Sequence, residues 1–483
     1  MRNLSIIQDF FDREIDLPVG ELQADSRCIT ESDVFVAMKG QLQDGRRYIE
    51  KAVELGARAV IYENGDGFVF SSDSVVSLGV AGLSEKIPEM ASRFYGEPSR
   101  AIKVIGVTGT NGKSSVTYYI AQLLAGSGPR CAIIGTVGSG FIDDLKPALN
   151  TTPGPIELQK LLAGFVEAGA EFVAMEVSSH GIAQGRINGV HFFSTMFTNL
   201  SRDHLDFHKT MEAYFAVKEN FILANSDKTV VLNYDDSMIR NELLPKLDRN
   251  NVITVGMDDG ADIVISAPVA TDSGTSFKLR EGKSGEQQLS VPLIGLFNVY
   301  NAVMAKAMVD RLVGNKDLSL KKLGCLRPLI GRMELFKNGR SPLCIVDFAH
   351  TPDGLQKAIT AAREHTAGSL IVVCGCGGDR DTGKRPAMGR IATTLADRVV
   401  FTNDNPRTED PEKIMKQIID GVERNNFEVE YDRRTAIAGA ITAATDRDLV
   451  LIAGKGHENY QIIGTVKHHY SDQEVVKEVI AGL

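Results

Sequence analysis

Apolar and polar positions change rhythm twice along the chain. Over residues 1–98 the apolar runs are short. Strands are expected at Val34–Met38 and Ala59–Tyr62, and one helix at Tyr48–Leu55. From 102 to about 330, strand-like runs alternate with helical patterns. IKVIGV, CAIIGTV, EFVAMEV and FFSTMF read as buried strands; Ser115–Leu124 and Pro155–Ala168 read as helices between them. Such alternation points to a mainly parallel sheet wrapped by helices. Residues 262–293 break the pattern. They are rich in Ser, Gly and Thr and are expected to form a small antiparallel insert. From about 332 the alternation resumes, with CIVDFA, LIVVCGCG, RVVFTND and DLVLIAG as strands of a second α/β domain.

The 483-residue length suits about three domains. With 43% hydrophobic and 24% charged residues, the composition is that of a globular chain. A net charge of −9 leaves no broad basic surface, which argues against nucleic acid as a main partner. Anionic ligands must be held by local sites. The six cysteines (28, 131, 325, 344, 374 and 376) are scattered and are expected to be reduced thiols of a cytoplasmic protein. The N-terminal MRNLSIIQDFFDREIDL has no apolar core of a signal peptide, and no apolar run approaches ~18 residues.

The strongest local signal is GVTGTNGKSS, Gly106 to Ser115. It follows a strand and opens a helix. Such glycines let backbone N–H groups converge on phosphate oxygens at a helix N-terminus. Lys113 would reach the terminal phosphates, and the Ser114 hydroxyl would ligate Mg²⁺. Five residues rather than four separate Gly106 from the Gly112-Lys113 pair.

Further motifs follow in order: TNLSRDHLD (198–206), GLFNVYN (295–301), GRME (331–334) and DFAHTP (347–352). With TGTNGK at Thr108–Lys113, this series resembles the Mur ligase family and its folylpolyglutamate synthetase relatives. The resemblance covers nearly the whole chain. It implies three α/β domains: a smaller N-terminal domain binding a UDP-linked substrate (1–98), a central P-loop ATPase domain with a mainly parallel sheet (99–331), and a C-terminal Rossmann-like domain binding an amino acid (332–483). Within the family the implied activity is ATP-dependent addition of the third residue of the peptidoglycan stem peptide, through an acyl phosphate. The implied partners are ATP, a UDP-N-acetylmuramoyl dipeptide and an amino acid. Mg²⁺, two ions, is the implied cofactor, and a monomer is expected.

The same resemblance assigns residues. Gly109, Thr110, Asn111, Gly112, Lys113, Ser114 and Ser115 would bind ATP phosphates. Asn298, Arg332, Asp347 and His350 would contact the rest of the nucleotide, with Asn301 beside Asn298. Glu176, at a strand end, and His204 would join Ser114 as Mg²⁺ ligands, although Asp203 and Asp206 suit a hard cation equally well. Lys218, read alone in MEAYFAVKEN, is a solvated helix lysine. The resemblance makes it a carbamylated lysine, N6-carboxylysine, whose anion helps hold Mg²⁺. The uridine nucleotide would meet Ala24, Ser26 and Gln41 in the first domain, and Asn150, Thr151, Thr152, Ser178, Gln184 and Arg186 in the second.

TNDNPRTEDP (402–411) begins at the end of an apolar strand and turns sharply polar at Asp404, Asn405, Pro406 and Arg407. Alone it fits either loop punctuation or a fork for a zwitterion. The resemblance makes it the selector of the incoming amino acid. meso-Diaminopimelate and L-lysine differ by one distal carboxylate, and Arg407 can clamp a carboxylate bidentately. Asp404 and Asn405 would face the distal ammonium, Arg380 the proximal carboxylate, and Glu458 an ammonium beside Gly454. Thr408–Pro411 are expected to start the next helix. meso-Diaminopimelate is thus favoured over L-lysine. Folylpolyglutamate- or cyanophycin-type synthesis, the ligase adding D-Ala-D-Ala, and a P-loop switch without ligase activity remain as alternatives.

Overall fold

The computed structural model describes all residues except 41, 42, 126, 127, 149, 272, 283, 284, 315 and 340, and omits the side chains of 206 and 316–318. The expected uridine contact Gln41 therefore lies outside the described residues. The chain forms two compact units, Met1–Thr254 with Ala307–Leu312, and Val255–Lys306 with Val313–Leu483.

In the first unit, strands Leu22–Gln23, Val34–Ala37, Ala59–Glu63 and Val76–Val80 form a four-stranded parallel sheet. Its residues alternate between two faces. Val34, Val36 and Ile61 pack with Leu83, Ile87 and Met90 of helix Leu83–Phe94. Phe35, Val60 and Tyr62 pack with Ile49 and Ala52 of helix Ile49–Glu54. A second sheet includes, as successive neighbours, Asp144–Lys146, Gly138–Phe141, Cys131–Gly135, Phe172–Glu176, Lys103–Thr108, Phe192–Phe197 and Thr229–Asn233. All of these strands from Cys131–Gly135 onward pair in parallel. Every residue of the central strand after Lys103 is buried, as in a parallel sheet covered on both faces. Gly106 interrupts it for a packing reason: a Cβ there would come within 2.7 Å of Phe221 Cζ.

In the second unit, Leu343–Asp347, Leu449–Ala453, Leu370–Cys374, Arg398–Phe401 and Phe427–Val429 are parallel, with Glu334–Phe336 antiparallel at one edge. Ile345, Val372 and Leu451 pack on helices Pro352–Glu364 and Lys384–Leu395; Val346, Val373 and Ile452 pack on Arg433–Ala443 and Asp472–Ala481. A fully buried Arg433–Asp472 pair (2.8 Å) ties the latter two helices together. The expected antiparallel insert forms from Ile263–Thr271, Gly274–Glu281 and Gln287–Val291. One boundary differs from expectation. The helix after the polar stretch begins at Pro411, capped by Asp410, whereas Thr408 donates through its N–H (3.0 Å) and hydroxyl (2.9 Å) to Asp379. An aspartate partner outside the segment holds Thr408 in the loop.

Candidate active site

The carboxyl ends of Lys103–Thr108, Phe172–Glu176 and Phe192–Phe197 lie side by side, the edge at which parallel sheets bind ligands. The phosphate loop leaves the first of them and enters helix Lys113–Ala125. Gly109 and Gly112 both adopt positive φ (+144° and +87°). A Cβ at Gly109 would overlap Thr198 Oγ1, so loop and neighbouring strand end are in direct contact. Hydrogen bonds join them: Thr110 N–H to Asn199 O (2.8 Å), Asn111 N–H to Asn199 Oδ1 (3.0 Å), and Thr198 Oγ1 to Asn111 O (2.6 Å). Thr110 Oγ1 also lies 3.1 Å from the Tyr214 hydroxyl. Lys113 Nζ donates to the carbonyls of Gly109 and Thr110, at 2.9 Å each.

Lys218 lies in helix Met211–Leu223 and is 1% exposed. Its ammonium nitrogen donates to Gly109 O (3.0 Å) and Thr108 Oγ1 (3.3 Å). The solvated-lysine reading is thus incorrect. Tyr214, Lys218, Phe221 and Ile222 fall on one helical face, and that face is buried. Burial, with the Lys113 charge as a second cause, holds the Lys218 pKa well below the ordinary lysine value. A neutral amine is thereby favoured at this point of the loop.

Glu176 is buried, and its carboxylate accepts from the N–H (2.8 Å) and hydroxyl (3.2 Å) of Thr136. Gly135 makes room for it, since a Cβ there would lie 2.7 Å from Glu176 Cδ. Gly135→Ala is therefore expected to displace the carboxylate and to cost roughly 1–3 kcal/mol of stability through overpacking, which thermal unfolding checks. Around the same strand end, Thr152 Oγ1 donates to Glu176 O (2.9 Å) and accepts from Ser178 N–H (3.0 Å). Arg186 donates to Thr152 O (2.9 Å) and to Gln184 Oε1. Thr151 pairs with Thr136 (2.9 Å). His204 sits in the left-handed region (φ +52°), with its ring edge-on to His180 at 4.8 Å.

The second unit has its own site at the carboxyl edge of its sheet. A cavity of about 300 Å³ is lined by three cations, Arg380, Lys384 and Arg407, and three anions, Asp381, Asp404 and Glu458. Arg407 is left-handed (φ +52°). Its N–H donates to Ile462 O (3.1 Å), its carbonyl accepts from Gly464 N–H (2.7 Å), and its guanidinium donates to Gly378 O (2.8 Å). The hairpin Tyr460–Ile463/Val466–His469 thus fixes the loop. It also supplies Gln461, which donates to Asp404 O (2.7 Å), and Ile462 N–H, which donates to Asn405 Oδ1 (2.9 Å). Gly454 (φ +122°) leaves room for Asp404, whose Oδ2 would be 2.7 Å from an added Cβ.

Three segments match family descriptions: "Mur ligase family, catalytic domain" at 18–92, "Mur ligase middle domain" at 107–309 and "Mur ligase, glutamate ligase domain" at 331–456. A protein of Vibrio vulnificus (strain YJ016), UDP-N-acetylmuramoyl-L-alanyl-D-glutamate–2,6-diaminopimelate ligase, is 42% identical over 96% of this chain and 95% of its own length. The chain belongs to the Mur ligase family. A Pseudomonas aeruginosa protein of the same name is 43% identical, covering 99% of this chain and 98% of its own. A solved structure bearing that name matches with a TM-score of 0.72 and 32% identity, covering 100% and 99% of the two chains. A Mycobacterium tuberculosis folylpolyglutamate synthase structure shares the fold (TM-score 0.62, 20% identity) over 77% of this chain and 92% of its own.

Against the Mur ligase expectations, the structure groups the loop residues with Lys218, and it groups Thr151, Thr152, Ser178, Gln184 and Arg186 around Glu176. Asn150 is exposed beside that group. Ser115 is buried, whereas Ser114 is half-buried at the start of the helix. Ala24, exposed, and Ser26, buried, belong to the four-stranded-sheet region. Asp347 accepts from the N–H groups of Met333 and Ala349 (2.8 Å each), which places it beside Arg332, whose guanidinium stacks 4.6 Å from the Phe348 ring. Burial raises the Asp347 pKa, opposed by Arg332. Asn298 is buried and donates to Ile294 O. His350, expected at the nucleotide, lines the same cavity as Arg407. Pro406 is buried, with its carbonyl against Gly378. Sequence reasoning passed over Thr136, Thr198, Asn199 and Lys455. Thr136 lies near the end of the run CAIIGTV, Thr198 and Asn199 directly follow FFSTMF, and Lys455 stands between Gly454 and Glu458.

Proposed function

We propose that this chain is an ATP-dependent amide ligase. It joins meso-diaminopimelate to UDP-N-acetylmuramoyl-L-alanyl-D-glutamate through an acyl phosphate, in peptidoglycan precursor synthesis. The observation that carries the reading is the cavity that brings Arg380, Asp404, Arg407 and Glu458 together. Alternating cations and anions around about 300 Å³ suit a small molecule with two zwitterionic ends. The names of the full-length relatives support the same substrates.

A carboxylate resists amine attack until its oxygen becomes a leaving group. The phosphate loop and Lys113 would orient the ATP γ-phosphoryl group toward the D-glutamyl carboxylate. Arg186 and the Thr151–Thr152 hydroxyls would hold the uridine nucleotide. The amino acid's amine then attacks the acyl phosphate, and phosphate leaves; most of the catalysis is positioning and charge neutralisation. Ser114, Glu176, His204 and a carbamylated Lys218 would hold Mg²⁺. Among the described residues no three His, Cys, Asp or Glu side chains gather into a metal cage. Few protein ligands suit Mg²⁺, which keeps waters and phosphate oxygens. When bound, the ion would neutralise phosphate charge.

The division into 1–98, 99–331 and 332–483 is proposed with the same roles, supported by the three matched segments. A cytoplasmic monomer is proposed as well; no described helix is long and apolar enough to cross a membrane.

Phosphate release with ATP tests the reading. It should require both the UDP-muramoyl dipeptide and an amino acid, with kcat/KM for meso-diaminopimelate roughly 10²-fold above that for L-lysine. Release without the dipeptide would point to a nucleotide switch, and equal use of lysine would remove the specificity assignment.

A further inference from the structure

Beneath the amino-acid cavity lies a charge that the family motifs leave without a role. Lys455 is fully buried. Its ammonium group donates to Glu458 Oε2 (3.0 Å) and to Asn405 Oδ1 (3.1 Å), and it stands 5.7 Å from the centre of the Tyr460 ring. Asn405 Oδ1 accepts a second bond from Ile462 N–H, while its amide Nδ2 donates to Glu458 Oε2 (2.8 Å). Both ends of the Asn405 amide are therefore engaged within the protein. Asn405 lines the cavity, and together with Lys455 it holds Glu458 in place.

We infer that Lys455 is a positioning residue that sets the charge of the amino-acid cavity and so rejects amino acids bearing a net positive charge. This rests on the proposed amide-ligase reading. The cavity wall carries three cations and three anions. Lys455, paired to one of those anions, offsets the charge that Glu458 would otherwise present to an ammonium. meso-Diaminopimelate, with two ammonium and two carboxylate groups, is neutral and enters without net repulsion. L-Lysine carries one uncompensated ammonium, and the Lys455 cation behind Glu458 opposes it. Arg407 rewards the distal carboxylate; Lys455 penalises its absence. Specificity then has a repulsive element besides the attractive one.

The ratio of kcat/KM for meso-diaminopimelate to that for L-lysine reads this out. K455M leaves the Glu458 carboxylate uncompensated and able to accept the extra ammonium, so the ratio should fall by about tenfold or more. K455R keeps the charge and should keep the ratio within a few-fold. E458Q removes the anion and leaves Lys455, so the ratio should rise although both rates fall. Opposite shifts distinguish charge control from a structural ion pair, whose loss would lower both substrates equally. If K455M does not fold, E458Q decides alone: an unchanged or lowered ratio overturns the role. Wild-type protein measured in parallel separates the two proposals. Failure of wild type to use either amino acid removes the ligase reading. Normal wild-type preference with an unchanged K455M ratio removes only the role of Lys455.

Discussion

Lys218→Met should lower turnover by at least about 10³-fold and at the same time raise the stability of the protein in CO₂-free buffer at neutral pH. The two effects have one origin. Lys218 is buried against Gly109 O and Thr108 Oγ1, with Lys113 bonded to the same Gly109 carbonyl. Two amines converge on one backbone oxygen, and burial depresses the Lys218 pKa well below its ordinary 10.5. Between that lowered folded value and 10.5, the unfolded chain binds more protons than the native one. Stability therefore rises with pH across this window, and the penalty is full below the folded pKa. Methionine fills similar volume without charge, so it should relieve roughly 2 kcal/mol at pH 7 and flatten the pH dependence. Thermal melts of both proteins at pH 7 and pH 9 read this directly. Added bicarbonate should stabilise only the wild type, if the neutral amine takes up CO₂. Lys218→Ala leaves room for a short carboxylate, which should restore part of the activity. A methionine variant that is active, or less stable than wild type at pH 7, would refute the account.

Arg407→Ala should lower kcat/KM for meso-diaminopimelate by roughly 10²-fold while changing L-lysine use little, because only the first substrate has a distal carboxylate to lose. The guanidinium is already oriented. It donates to Gly378 O, and the Arg407 backbone is held on both sides by Ile462 and Gly464. The residue keeps a left-handed φ of +52°, which an arginine adopts only when its surroundings impose it. Such preorganisation means little entropy is lost when the carboxylate binds. Competition assays with both amino acids check the prediction, and an alanine variant that retains the wild-type preference contradicts it. Arg407 and Lys455 variants act through different terms: the first withdraws an attraction, the second a repulsion.

Much of the site could be read along the chain. The phosphate loop needs only glycines, a lysine and its place between strand and helix. Glu176 announces itself as a carboxylate at the end of an apolar strand. Lys218 shows where such reading goes astray. Its charge suggested solvent, yet its spacing from Tyr214, Phe221 and Ile222 already put it on the apolar face of the helix. Gly135 offers no comparable clue. Its value lies in the space it leaves for the side chain of Glu176, forty-one positions away.

By itself the sequence determined the alternation of strands and helices, the antiparallel insert, the nucleotide loop and the family to which the motifs belong. These depend on periodicity and turn chemistry acting over a few residues. Tertiary structure decided which charges are paired, buried or left facing a cavity. Lys218 and Gly109 are 109 positions apart, and Lys455 and Asn405 are 50 apart. Desolvation and ion pairing depend on distances that only the folded chain sets, so the protonation of Lys218 and the charge around Arg407 follow from the fold.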